Sequence, residues 1–221
     1  MKTIILAAAF ILGGCSNQRF SKVSQNQDVS GSGIVGSWQS PCFFTAKDHS
    51  VDKSSHVTYL EISKDHFVAT SKGYTRAECA SNKENRHSFT AVIKSSYILK
   101  AAQDDDKKID FKIEKISLTH HIKSQVDELN DIVHFGFNNW EIDKEKDIAG
   151  RKMNEDTAKL PSIDDFVFDL ITIKQALENE KLYFGLEVAK LDESKAGRTE
   201  GDRPKKIFLD EYYLRLPDVD N

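Results

Sequence analysis

This chain of 221 residues carries no recognisable catalytic motif: there is no G-x-S-x-G, no H-E-x-x-H, no P-loop and no G-x-G-x-x-G. We therefore expect no catalytic residue, no cofactor and no enzymatic activity. A basic stripe is also missing. The 31 Lys and Arg are dispersed among 35 Asp and Glu, for a net charge of −4, which argues against nucleic acid as a partner. No apolar run is long enough to span a bilayer, which takes about 20 residues. Cysteine is scarce, with only Cys15, Cys42 and Cys79.

What is present begins at the N-terminus. Lys2 precedes the apolar run Ile4 to Leu12, and Gly13-Gly14 follow it. A positive residue, a short apolar stretch and small residues at a cleavage point describe an export signal. "Leu12-Gly13-Gly14-Cys15" resembles the lipobox of bacterial lipoproteins, in which the cysteine is acylated and becomes the mature N-terminus. An ordinary cleaved signal peptide, with Cys15 incidental, is the alternative. One acyl chain anchors a protein only marginally, and stable anchoring needs two or more; the lipoprotein modification, as the resemblance implies, adds three, palmitate among them. Ser16, where an Asp tends to retain such proteins in the inner membrane, points to the outer membrane. The expected partner is thus the membrane itself, reached through lipid on Cys15.

Residues 1–14 are then the signal peptide, and their loss takes the charge from −4 to −5 because Lys2 is the only charge removed. Residues 15–33 form a flexible tether. From Ser16 onward it is rich in Ser, Asn, Gln and Gly, too polar to bury a core, and about 23 Å in root-mean-square span. Residues 34–221 form one domain. With Cys15 acylated in an oxidising compartment, Cys42 and Cys79 remain as an even pair and a disulfide is expected. Two buried free thiols are the alternative.

From residue 34 on, the dominant period is two. We expect eight strands, at 34–40, 57–63, 66–72, 87–93, 109–118, 166–173, 181–188 and 207–216. Lys64-Asp65 forms a two-residue hairpin loop that sets Ile62 opposite Phe67 and Leu60 opposite Ala69. Ile109, Phe111 and Ile113 alternate cleanly, and then the phase slips to Ile116 and Leu118, as a bulge near Lys115 would cause. One-faced strands joined by hairpin-scale loops indicate an all-β fold, a single antiparallel eight-stranded barrel or sandwich, and closure removes exposed edges. Such a barrel holds packed side chains or one small ligand.

The 119–165 connection is the irregular part, too long to lack structure in a compact domain. "SQVDELNDIVHFGF" reads as a short helix across the barrel mouth, with Ser124 and Asp127 as a capping box and Val126, Leu129 and Val133 at helical spacing. "DIVHFGF" also reads as a short strand.

Several motifs are similar to a known group. "Gly36-Ser37-Trp38" resembles the Gly-x-Trp that opens the first strand of lipocalins and related barrels, where the tryptophan packs across the closed end. With "GSWQSPC", "YTRAEC" (74–79), "NWE" (139–141), "KLYFG" and Arg203-Pro204, the chain resembles uncharacterised bacterial lipocalin-like lipoproteins over residues 34 to 215. Ser37 departs from the usual Thr. The resemblance implies a lipocalin-like barrel, a disulfide, export, and barrel-end packing by Gly36, Trp38 and Arg203. It implies no activity.

The remaining polar residues suggest no site. The histidines are His49, His56, His66, His87, His120, His121 and His134, read as surface residues. Neighbours His120 and His121 point to opposite faces of a strand, so they do not chelate one ion, and His121 with His134 and Asp131 would meet only through the fold. "DDDKK" (104–108) lacks the ligand spacing and glycine of a calcium loop. No metal site is expected. Two functions remain open: binding of a small apolar or amphipathic ligand, or a ligand-free structural or protein-interaction module, such as an assembly factor or inhibitor. A mouth-open apolar pocket favours the first and a filled interior the second.

Overall fold

A computed structural model of the chain describes residues 33–44, 54–76, 78–82, 85–101, 106–176, 179–186 and 197–217. The signal peptide, Cys15, nearly all of the tether and His49 lie outside these residues, as do the first two residues of "DDDKK". The strands are β1 (Gly36–Gln39), β2 (Phe43–Phe44), β3 (Ser55–Ile62), β4 (His66–Tyr74), β5 (His87–Ala101), β6 (Lys107–His120), β7 (Lys146–Asp147), β8 (Phe166–Ala176), β9 (Asn179–Phe184) and β10 (Tyr213–Arg215), with one helix, α1 (Lys123–Asp131). The order β1-β10-β9-β8-β6-β5-β4-β3 is closed by a β1–β3 pairing, giving an eight-stranded antiparallel barrel. All eight strands expected from the alternation are present, the last one shortened to Tyr213–Arg215. Pro41 cannot donate to a ladder, and there the first strand breaks; β2 resumes it against β3 through Phe43 and His56.

The local registers follow from side-chain placement. Ile62 faces Phe67 and Leu60 faces Ala69, as the Lys64-Asp65 loop requires. Between β5 and β6, Lys94 pairs with Lys115 but Ser95 pairs with Ile113. Glu114 is therefore the extra, bulged residue, and Ile113 and Ile116 both turn inward and are buried. Gly73 leaves room for an aromatic ring: a Cβ there would sit 1.9 Å from Phe89.

Two apolar clusters occupy the axis. The lower one gathers Trp38, Leu60, Ile109, Ile171, Leu182 and Tyr213. The upper one gathers Phe89, Ile113, Ile116 and Leu118 with Val126, Leu129, Phe135, Trp140 and Ile148 of the long connection. Ile93 and Val167 pack against both, so the clusters meet. The long connection closes the upper end. α1 lays Val126 and Leu129 onto the inner ends of β5 and β6, and β7 pairs with the upper half of β6 while β8 pairs with its lower half.

The helix differs from expectation at its ends. Ile122, not Ser124, is the N-cap and offers no side-chain cap. Val133 and Phe135 leave the helical path with φ of 53° and 52°. This left-handed turn exposes Val133 and buries Phe135; "DIVHFGF" ends as a 3-10 turn (His134–Gly136) and forms no strand.

Candidate functional site

The lower end is a plug. Trp38 is fully buried and donates through Nε1 to the Ile34 carbonyl at 2.9 Å. The guanidinium carbon of Arg215 lies 4.1 Å from the centre of the Trp38 ring. Arg215 also donates to Val35 O at 2.9 Å and to the Gly33 carbonyl, and it pairs with Glu180. Gly36 adopts φ +138°, and a Cβ there would sit 2.6 Å from Arg215 Nη1, so a side chain at this position meets both strain and a clash. Arg203 is not part of this end. It lies against the barrel's outer wall, where it donates to the carbonyls of Ile109 and Asp169 and pairs with Asp110 and Glu200. The Arg203-Pro204 motif pointed to the wrong arginine. The alternation of "YYLRL" held the useful signal, because Tyr213 and Arg215 share the inward face.

Asp169 is a buried carboxyl. Its Oδ1 accepts N–H bonds from Leu170 (2.7 Å), Gly185 (3.0 Å) and Leu186 (2.8 Å), which fixes the end of β9. Burial pushes its pKa up to about 7 against the pull of those three donors. Cys42 and Cys79 are disulfide-bonded with Cα atoms 5.5 Å apart, so the expected pairing is present.

Not all the histidines are at the surface, which corrects the sequence expectation. His56, His120 and His134 are buried, and burial lowers their pKa to about 4, 3 and 4. His120 sits edge-on to Trp140 at 4.9 Å and 6.2 Å from His134. His121 turns the other way, as strand alternation requires. It meets Asp143, Thr90 and His87 rather than His134 or Asp131. Nothing in the sequence tied His87 or Asp143 to it. Among the described residues, no group of three or more His, Cys, Asp and Glu gathers to hold a metal ion.

Two hollows flank this framework. An open basin of about 760 Å³ lies on the long connection, lined by Lys152, Glu155, Asp156, Lys159, Asp165 and Arg198 among others. Its walls carry both charge signs. A crevice bounded by Phe184, Leu186, Phe208, Glu211 and Tyr213 has no room for a water molecule. Among the described residues, no helix is long and apolar enough to cross a membrane.

No family model matches this chain, and no curated protein is similar to it. The barrel is consistent with a lipocalin-like fold, and the resemblance to lipocalin-like lipoproteins lies in the sequence motifs alone.

Proposed function

We propose that the protein is a lipid-anchored module of the bacterial cell envelope, held at the outer membrane through Cys15, that acts through the outer surface of a packed barrel as a structural or protein-interaction element and not as an enzyme. The observation that carries this reading is the filled axis: the lower and upper clusters meet at Ile93 and Val167. The barrel is compatible with ligand binding. A small apolar or amphipathic ligand would need the upper mouth, where Val126, Leu129, Phe135 and Trp140 are packed. The anchoring part is supported by the lipobox-like "LGGC", with the tether reaching the barrel at Gly33, whose carbonyl is bonded to Arg215.

Native mass spectrometry of protein purified from its own host tests the central claim. The expected mass is that of the acylated chain alone. A co-purified apolar small molecule that leaves on unfolding would overturn it. For the anchor, Cys15→Ala is expected to move the protein from the membrane fraction to the soluble fraction. A variant that still sediments with membranes after a high-salt wash would count against the lipid.

A further inference from the structure

Two imidazoles on the outer wall aim at one point, and with both rings neutral their hydrogen-bond count does not close. His87 opens β5 and His121 directly follows β6, so paired strands set them side by side, with ring centroids 4.2 Å apart. His87 Nε2 lies 3.1 Å from Thr90 Oγ1, and His121 Nε2 lies 3.0 Å from the same oxygen. Asp143 Oδ1 sits 2.6 Å from His121 Nδ1. A carboxylate there places the proton of the neutral ring on Nδ1 and leaves Nε2 a bare lone pair. The His87 ring is hydrogen-bonded to the Phe89 backbone. His87 likewise turns Nε2 toward Thr90, and in the tautomer that carries its proton on Nδ1 this nitrogen too is a bare lone pair. A threonine hydroxyl has one proton, so it satisfies one of the two lone pairs and not the other.

We propose that His87 and His121 form a binding site for a divalent transition-metal ion of the zinc and copper class, beside the Thr90 hydroxyl, with Asp143 as the outer partner that orients His121. An ion satisfies both lone pairs at once. Imidazole donors suit Zn, Cu and Ni, whereas Ca and Mg require oxygen cages. The carboxylate–histidine–metal arrangement fixes the ring and raises its basicity. Asp143 is itself held in place, since its N–H donates to the His120 carbonyl at 2.8 Å in a left-handed turn with φ 59°. The His121 side chain is 22% exposed and that of Asp143 69%, so water reaches the site and fills the remaining coordination positions. With two protein imidazoles and an open side, this is an exchange or docking site and not a closed structural one. It stands on the outer wall, independent of the barrel interior and of the anchor.

The test is titration of the mature protein with Zn²⁺ alone by calorimetry, and with Cu²⁺ by electron paramagnetic resonance. One equivalent of Zn²⁺ is expected to bind. His121→Ala and His87→Ala are each expected to weaken binding at least about tenfold, and Asp143→Asn by about 10- to 100-fold. Thr90→Val removes the competing hydroxyl, so it is expected to retain or strengthen binding, which a purely structural Thr90 bridge would not produce. The Cu²⁺ spectrum is expected to show two nitrogen couplings, reduced to one in His121→Ala. Circular dichroism on each variant separates loss of the site from loss of the fold; where His87→Ala fails to fold, His87→Gln takes its place. Equal Zn²⁺ affinity in wild type and a folded His121→Ala would overturn the proposal, as would a Cu²⁺ spectrum with fewer than two nitrogens in the wild type.

Discussion

The two ends of the barrel are closed by different chemistry. The lower end is closed by strand residues: Trp38 from β1, Leu60 from β3, Tyr213 and Arg215 from β10. Every one of them falls on the inward phase of a regular strand. The upper end is closed by a connection. α1, the turn at Val133 to Phe135, and Trp140 fold back over β5 and β6, and the buried His120 and His134 pack beside Trp140. A strand can only present its alternate residues to the axis. A connection can bring any residue there, at the cost of strained turns such as that at Val133. The lower end therefore concentrates apolar stability, and the upper end carries the buried histidines.

The strongest way to break the comparison is at the plug. Trp38→Ala is expected to cost about 3 to 5 kcal/mol, read as a lower urea midpoint. A midpoint unchanged within error would show that the lower end is not held by Trp38. Next in size is the staple between the strand ends. Cys79→Ser opens a loop of sequence separation 37 and is expected to cost roughly 4 kcal/mol by loop-closure entropy. Alkylation of two thiols in native, unreduced protein would contradict the bond itself.

Acid separates the ends further. His56 and His134 are held neutral with pKa of about 4 each, below the ordinary 6.5, by burial. The unfolded chain takes up their protons first. Their contribution is thus full above pH 6.5 and is lost as pH falls toward 4, about 3 kcal/mol for each at the limit. Asp169 acts in the opposite direction: with its pKa raised to about 7, it favours the folded chain most below pH 3.8 and loses that effect as pH rises through 7. The sharp measurement is a difference. His134→Phe is expected to lose less stability than wild type between pH 7 and 4.5 in parallel urea series, and equal losses would remove His134 from the account. The smallest expected effect is on the exposed face of α1. Lys123 and Asp127 form an exposed i,i+4 pair at 3.0 Å, and Lys123→Ala is expected to change the melting free energy by about 0.3 to 0.5 kcal/mol.

Legibility in the sequence divides along the same line. The period-two runs placed all eight strands, because inward alternation is local. The phase slip after Ile113 located the bulge to within one residue of Glu114, since a bulge must shift the apolar phase. The helix over the mouth was readable from Val126 and Leu129. Its N-cap was not, because Ser124 lies inside the helix and Ile122 caps without a side chain. The stacked pair His87–His121 and its partner Asp143 were not readable either. They lie far apart in the chain, and only the β5–β6 register and the turn at Asp143 join them. Arg203 was misplaced for a related reason: a motif carries no direction, whereas the alternation that points Arg215 inward does.

The division of β6 between two neighbours has a consequence for the history and engineering of this chain. Residues Lys107 to Lys112 hydrogen-bond to β8, but Ser117 and Leu118 hydrogen-bond to β7, which belongs to the long connection. Shortening that connection to an ordinary hairpin loop would strip the upper part of β6 of its partner. A bare ladder of N–H and C=O groups beside Ile116 and Leu118 would then recruit strands from other molecules. The connection cannot be trimmed like an ornament; without it the barrel stays closed through β1–β3 and β6–β8 but carries a bare edge along the upper part of β6.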